Sequence, residues 1–132
     1  MSASAEYFVR HTLSSWAATP GAVSPQAAER YVRAFTPETI SGMCADYRAA
    51  FHIDRPMDAE DREGGRKIRC PVLVHWGAEE GSMSDGPLPV WRRWAEAVEG
   101  GPLPSGHFIP EEAPNALVAS LQSFLAPGDR RR

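Results

Sequence analysis

The sequence predicts an α/β fold with helices first and a short, incomplete parallel sheet after them, and two observations support this. Over residues 5–51, apolar side chains recur at intervals of three and four, the spacing typical of amphipathic helices. From residue 68 the pattern changes to a short β-branched run that ends in glycine, and helix and strand signals then alternate. Strands that alternate with helices are typical of a parallel sheet covered by helices.

The second and third predicted helices have clear start signals. Ser24-Pro25 and Thr36-Pro37 each place an N-capping hydroxyl before a proline at the first helical position. The first helix, over residues 5–18, has an aromatic face instead, and a Thr-Pro-Gly turn ends it. The second and third helices are predicted to end near Phe35 and Phe51.

A polar connector is predicted between these helices and the sheet. Residues 52–66 are rich in acids and arginines, and one helical turn is expected there, around Asp58–Glu63. The run Ile68–Gly77 then predicts a strand buried on both faces. A helix over Pro87–Val98 follows, and Gly100-Gly101 is expected to end it.

The second strand is the weak part of the predicted sheet. Residues 102–104 are few, and proline at both ends suits only an edge strand. The last helix, about Glu111–Leu125, has a clear apolar face. One clear strand and one weak strand would leave apolar sheet edges open, so the sheet is expected to be incomplete. The chain then divides into a helical portion (1–51), a connector (52–67) and a sheet-containing portion (68–132).

Composition narrows the class of protein. The 132 residues are 42% hydrophobic and 23% charged, and their net charge of -3 argues against nucleic acid, which usually requires a basic face. Because no apolar run approaches the ~20 residues of a membrane span, no membrane partner is expected. No secretory signal is recognisable, and we expect a cytoplasmic setting with Cys44 and Cys70 as packing residues. The four histidines share no ligand spacing, so no metal site is expected, and no cofactor either.

One histidine lies on a turn that suits catalysis. The stretch Pro104–Pro114 holds His107 on a glycine-containing turn between two helix-like segments. A histidine whose backbone is held on both sides has a fixed imidazole, as a general base requires. The pKa of an imidazole is ordinarily about 6.5, which is close to the working pH of most enzymes. The turn taken alone fits an ordinary surface histidine better.

His75 and Trp76 lie at the end of the predicted strand. Ligands collect at the carboxyl ends of parallel strands, so both residues are candidates for the lining of a pocket. A packed polar residue at a strand end and a bulky core residue are the more frequent roles of such side chains.

Several separated motifs resemble one enzyme superfamily in their order and spacing. The run IRCPVLVHWG resembles the penultimate strand of the α/β hydrolase sheet, and SGHF resembles the turn that carries the catalytic histidine. Together, MCADYRAAFHID, GRKIRCP, WRRWA and GHFIPEEAP resemble fluoroacetate (haloacetate) dehalogenases. The resemblance covers nearly all of the chain. It implies the C-terminal part of an α/β hydrolase fold, in which residues 1–51 are helices of the cap.

The resemblance implies a two-step hydrolysis of a small halogenated carboxylic acid. In that family an aspartate displaces the halide and forms an ester, which water activated by a histidine then hydrolyses. His107 matches the catalytic histidine. Tyr47, in CADYRAA, matches the halide-binding tyrosine, whose phenolic O–H can donate to the leaving fluoride. Tyrosine is also common on the apolar face of a core helix, which is the alternative for Tyr47.

The chain departs from the family pattern in one major respect. In α/β hydrolases the nucleophile, the acid and the histidine follow one another in that order, and no nucleophile elbow is recognisable here. The first half of the usual fold is therefore expected to be absent, and the chain alone is expected to be inactive. Its expected partners are the missing N-terminal half or a second copy of the chain.

The acid that would orient His107 is ambiguous in the sequence. Many α/β hydrolases place it just after the strand that VLVHWG resembles, where Glu79, Glu80 and Asp85 lie, and Glu80 is the best candidate. Fluoroacetate dehalogenases carry it on an earlier strand, in which case Glu80 is a solvent-facing loop acid. An epoxide or ester hydrolase of the same fold and a non-catalytic remnant are the alternative functions.

Overall fold

The computed structural model describes residues 3–80 and 86–126, and within them helices come first and a pair of strands follows. The helical part consists of α1 (Ala3–Ser15), α2 (Pro25–Ala34), α3 (Pro37–Ala49) and α4 (Arg55–Glu63). The later elements are β1 (Val72–Gly77), α5 (Leu88–Trp94), β2 (Val98–Leu103), α6 (Ile109–Glu112) and α7 (Pro114–Leu125). The predicted α/β fold class is therefore confirmed.

The predicted starts of α2 and α3 are also confirmed. The Oγ of Ser24 accepts the backbone N–H of Ala27 at 3.2 Å, and the Oγ1 of Thr36 accepts that of Thr39 at 3.2 Å. Each cap satisfies one of the N–H groups that the first turn of a helix leaves without a partner.

The predicted connector is helical over most of its length. α3 continues through a π-helical turn, Ala50–Asp54, directly into α4, which is longer than the single turn expected there. Pro56 explains the wider turn, because it has no N–H for the carbonyl of His52 and its ring would clash with that carbonyl. The segment is mostly exposed, as its charge predicts.

The strands β1 and β2 pair in parallel, from Val72 opposite Val98 to Gly77 opposite Leu103. The prediction of a helix over Pro87–Val98 is wrong at its C-terminal end, because α5 ends at Trp94 and Val98 already begins β2. The second strand is correspondingly longer than the predicted residues 102–104.

Gly100 explains why this stretch forms a strand. Its φ is +137°, and a Cβ at this position would overlap the backbone carbonyl oxygen of Val74 on the neighbouring strand. Glycine permits both the backbone conformation and the close approach, so the glycine pair is part of β2 and does not end a helix.

The fold leaves much apolar surface uncovered. The solvent-accessible surface is 9840 Å² for a 14.5 kDa chain, whereas a compact monomer of this mass exposes about 6,900 Å². The buried hydrophobic residues described are Val9, Val32, Val74, Ala95 and Ala113. Large apolar side chains are exposed on the segment from α3 to α4, namely Met43, Tyr47, Phe51, Ile53 and Met57. An uncovered surface of this kind and a two-stranded sheet within the described residues agree with the predicted incomplete fold.

The two cysteines do not have the predicted packing role. Cys44 and Cys70 are free thiols, and both are exposed. Among the helices that the structure describes, none has the length and apolar character needed to cross a membrane.

Candidate active site

His107 and Glu80 lie together at the carboxyl ends of the two strands. β1 ends at Gly77, and one 3₁₀ turn, Ala78–Glu80, carries Glu80 away from the sheet. β2 ends at Leu103, the partner of Gly77, and the following turn leads to His107. Because parallel strands end at the same edge of a sheet, the two side chains meet there.

The imidazole of His107 contacts the carboxylate of Glu80. Nδ1 of His107 is hydrogen-bonded to Oε1 of Glu80, and the side chains are 47% and 34% exposed. When Nδ1 carries the proton and its N–H donates a hydrogen bond to the carboxylate, Nε2 is left as a proton acceptor. The structure thus joins the predicted base to the best predicted acid, while Asp85, the more distant alternative, lies outside the described residues.

Two backbone contacts hold the Glu80 turn against the His107 turn. The N–H of Glu79 donates to the carbonyl of Ser105 at 3.1 Å. Gly77 lies so close to the second turn that a Cβ there would overlap the carbonyl oxygen of Gly106. The spacing of the histidine and the acid is therefore fixed by the backbone as well as by their own contact.

The loop after α1 holds His107 from another side. The N–H of His107 donates to the carbonyl of Trp16 at 3.0 Å, and the two rings meet edge to face with centroids 4.9 Å apart. The ring of Phe108 also meets the imidazole edge to face, at 5.3 Å. Such contacts restrict the orientation of the imidazole. The sequence identified Trp16 only as part of a helix face, and no motif or spacing predicted this contact.

Glu112 is the second residue that the sequence did not single out. Its Oε2 accepts the backbone N–H groups of Ala18 at 2.8 Å, Thr19 at 2.9 Å and Gly106 at 3.1 Å, and its Oε1 accepts that of Phe108 at 3.1 Å. Burial raises the pKa of this carboxyl, but the four N–H donors outweigh burial and hold the pKa below its usual 4.5. The only sequence signal is an acid in the first turn of a short helix.

Tyr47 lies on α3 and is 77% exposed. Within the described residues, no hydrogen bond or ring contact joins its side chain to His107. Trp76 packs against the backbone of Gly86, since a Cβ added at Gly86 would lie 2.5 Å from the indole ring. Among the described residues, the ring contacts of the His107 imidazole are with Trp16 and Phe108 and not with these two aromatic side chains.

His75 is held between β2 and α7. Its Nδ1 bonds to the carbonyl of Gly101 at 2.8 Å, so Nδ1 carries the proton, and its Nε2 accepts the hydroxyl hydrogen of Ser120 at 2.7 Å. Both ring nitrogens of His75 are therefore engaged in hydrogen bonds within the fold. The side chain lines a small cavity of about 230 Å³ together with Ser120, and His107 is not among the residues of that cavity.

No metal centre competes with this interpretation among the residues that the structure describes, since no three His, Cys, Asp or Glu side chains cluster there. A cleft of about 570 Å³ lies at the other end of the strands, lined by Pro71, Arg92, Glu96, Ala97, Val98 and Glu99. Because it contains neither His107 nor Glu80, we place the candidate site at the carboxyl ends of the strands.

The chain is similar in sequence and in structure to known hydrolases. No protein-family model matches the chain. A fluoroacetate dehalogenase from Burkholderia sp. is 32% identical over 122 residues, which are 90% of this chain and 40% of the relative. A soluble epoxide hydrolase from Corynebacterium sp. is 33% identical over 112 residues, which are 83% of this chain and 37% of the relative. The solved structure of ALR0039 from Nostoc sp. PCC 7120, assigned to the α/β hydrolases, is 42% identical and superposes with a TM-score of 0.84 over 93% of this chain and 42% of that one.

The fold, the strand-end site and these similarities define the class, and the chain belongs to the α/β hydrolase superfamily. Within it the chain resembles the fluoroacetate dehalogenases, as its motifs predicted. It spans about 40% of the length of the relatives that it matches, so it contains part of the α/β hydrolase fold.

Proposed function

We propose that this chain supplies the histidine-bearing part of a hydrolase that cleaves the carbon–halogen bond of a small halogenated carboxylic acid. The observation that carries the proposal is the contact between His107 and Glu80 at the strand ends. An imidazole with Nδ1 against a carboxylate presents Nε2 as a general base. The substrate class is supported by the similarity to the Burkholderia fluoroacetate dehalogenase.

The proposed reaction has two steps, and the residues described above serve the second. In the first step an aspartate carboxylate of the N-terminal part attacks the halogen-bearing carbon, a C–O bond forms, and the halide leaves with the bonding electron pair. In the second step Nε2 of His107 takes a proton from water, and the resulting hydroxide attacks the ester carbonyl. The imidazolium returns this proton to the departing alkoxide oxygen, so that a hydroxy acid leaves, and the remaining aspartic acid loses its own proton to water and is restored as the carboxylate. Glu80 stabilises the imidazolium that forms in between.

Tyr47 is proposed to donate its phenolic hydrogen to the departing halide. Fluoride is a poor leaving group unless its developing charge is stabilised by a hydrogen-bond donor. The exposed position of Tyr47 on α3 agrees with a side chain that faces a site completed by other residues. Trp76 and His75 are assigned no step, because both are engaged in packing contacts.

By itself the chain is proposed to be inactive, because a base without a nucleophile has no ester to hydrolyse. The proposed partner is an N-terminal part of the same fold, which would cover the open edge of β1 and the apolar face of α3 and α4. A purified 132-residue chain that released halide from a haloacetate unaided would overturn this part of the proposal.

A chimera tests the role of His107 directly. The N-terminal part of the Burkholderia fluoroacetate dehalogenase, which has no counterpart here, is joined to this chain, and fluoride release from fluoroacetate is measured. The chimera should turn over. With His107→Ala it should release about one fluoride per protein and then stop, because the ester forms and persists. The control His52→Ala changes an exposed histidine and should leave turnover intact; full turnover by the His107→Ala chimera would refute the role as base.

An epoxide hydrolase is the second candidate function. The similarity to the soluble epoxide hydrolase from Corynebacterium sp. supports it, because the identity is as high as that to the dehalogenase. The same aspartate and histidine would open an epoxide ring and hydrolyse the resulting ester to a diol. Diol formation without fluoride release by the chimera would favour this function, whereas no product from either substrate would favour a non-catalytic chain.

A further inference from the structure

The carboxylate of Glu112 lies where two distant segments of the chain meet. Two of its four N–H donors, Gly106 and Phe108, are the immediate neighbours of His107 in sequence. The other two, Ala18 and Thr19, belong to the loop after α1. One side chain therefore holds both backbone neighbours of the histidine against that loop.

These contacts are stronger than ordinary turn hydrogen bonds. An ionised carboxylate that accepts backbone N–H groups makes charge-assisted bonds, which are roughly twice as strong as neutral ones. The lowered pKa of the Glu112 carboxyl reflects the same balance, since burial disfavours its charge and the four donors more than compensate. A neutral side chain at this position would hold the two segments less tightly.

We infer that Glu112 is the positioning residue of His107, because it sets the direction of the imidazole by clamping residues 106 and 108 against the loop after α1. The inference deepens the proposed function and rests on His107 as the base. Glu80 orients the ring through Nδ1, whereas Glu112 orients the backbone that carries the ring. The loop after α1 belongs to the predicted cap portion, so the clamp also couples the base to the cap.

Glu111 provides a matched control. It is adjacent to Glu112 and has the same charge, but its Oε1 accepts the hydroxyl hydrogen of Tyr31 at 2.7 Å. Glu112→Gln and Glu111→Gln therefore remove the same charge from neighbouring positions. Only the first change weakens the acceptor of the N–H groups beside His107.

NMR of the 132-residue chain tests the positioning without any need for activity. The Trp16 and His107 rings should give a strong cross-relaxation signal, since their centroids lie 4.9 Å apart. In Glu112→Gln this signal should fall and the ring nitrogen shifts of His107 should change, whereas Glu111→Gln should retain both. An unchanged ring signal and unchanged nitrogen shifts in folded Glu112→Gln would overturn the inference.

The unsubstituted chain gives a test that holds even if Glu112→Gln does not fold. Its four donor amides, Ala18, Thr19, Gly106 and Phe108, share one carboxylate. They should therefore shift together in an acid titration, with a single midpoint below 4.5. Four donor amides with unrelated midpoints, or with no transition at all, would overturn the clamp.

The chimera separates failure of this inference from failure of the proposed function. Glu112→Gln should lower kcat about tenfold and lower KM with it, so that kcat/KM is unchanged, because the substitution slows hydrolysis of the ester and not its formation. Glu111→Gln should change neither constant. If the chimera is inactive but Glu112→Gln still disturbs the Trp16–His107 contact, the proposed function fails and the positioning role stands. If the chimera is active and Glu112→Gln changes neither kcat nor the ring contact, the positioning role fails.

Discussion

Gly77 and Gly106 lie in direct backbone contact at the ends of the paired strands. A Cβ at Gly77 would overlap the carbonyl oxygen of Gly106 and would lie 2.6 Å from that of Ser105. The contact joins the turn that carries Glu80 to the turn that carries His107, so the backbone alone sets the spacing of the two turns.

The substitution Gly77→Ala should therefore lower the free energy of unfolding by about 1–3 kcal/mol, because the backbone must move to admit the methyl group. Gly101→Ala is the control on the facing strand, where a Cβ has nothing within 4 Å. Its effect should stay within about 0.5 kcal/mol. Urea unfolding measures both, and equal losses for the two variants would contradict the prediction.

The sequence predicted individual helices and the first strand, but not how the two strands extend and pair. The capping pairs Ser24-Pro25 and Thr36-Pro37 predicted two helix starts, and the β-branched run before Gly77 predicted β1, because these signals act over a few residues. The extent of β2 was not predictable, since Gly100-Gly101 reads as the end of a helix unless the approach of Val74 is known.

The site shows the same division between local and distant contacts. The turn alone did not distinguish His107 from a surface histidine, and both His107 and Glu80 became candidates through the resemblance of their segments to those of α/β hydrolases. Trp16 and Glu112 were missed because their roles depend on contacts with residues far away in sequence. No helical period or short motif records which loop will lie against the histidine turn.

The contact between Glu80 and His107 predicts the tautomer of the imidazole. With the carboxylate in place, the ring should carry its proton on Nδ1 at a pH at which it is neutral. Glu80→Gln should shift the tautomer population toward Nε2–H, because an amide oxygen is a weaker acceptor than a carboxylate. Nitrogen chemical shifts of the His107 ring report the ratio.

Glu79→Gln is the matched control for that measurement. It removes the same charge from the neighbouring position, while its backbone bond to Ser105 is unaffected. The tautomer ratio should not change in this variant. A shift of the same size in both variants would mean that general charge, and not the Glu80 contact, sets the tautomer.

The buried Ser105 and the partly buried Ser120 should respond differently to alanine. Ser105 is 1% exposed, and within the described residues its Oγ has no hydrogen-bond partner. Ser105→Ala removes this unsatisfied hydroxyl and should leave the free energy of unfolding unchanged or raise it by up to about 1 kcal/mol. Ser120→Ala removes the donor to Nε2 of His75 and should cost about 0.5–1.5 kcal/mol. Thermal or urea unfolding measures the free energy of unfolding of both variants. A larger loss of this free energy in Ser105→Ala than in Ser120→Ala would show that the Ser105 hydroxyl is hydrogen-bonded.

The lowered pKa of Glu112 makes the chain sensitive to acid. Because the folded pKa lies below the unfolded value of about 4.5, the folded state binds fewer protons in this range. The stabilisation is therefore present above pH 4.5 and is lost as the pH falls through the folded pKa. Urea unfolding at a series of acid pH values should show a decline that Glu112→Gln makes shallower. Some decline should persist, since the pKa of Glu38 is also lowered, by hydrogen bonds from its own backbone N–H and the Thr36 side chain. An equal flattening in Glu111→Gln would contradict the assignment to Glu112.

The exposed apolar face of α3 and α4 should make the isolated chain associate with itself. Met57 is 59% exposed there, beside other large apolar side chains, and contiguous surfaces of this kind mark sites of protein contact. Sedimentation should reveal species larger than a monomer that increase with protein concentration, and Met57→Glu should weaken this association about tenfold. Ser41→Glu adds the same charge at an exposed polar position of α3 and should have little effect. Addition of the N-terminal part of a related dehalogenase should compete with the self-association, because both would cover the same face. A chain that stays monomeric at all concentrations and unfolds in one sharp transition would show that this face needs no partner.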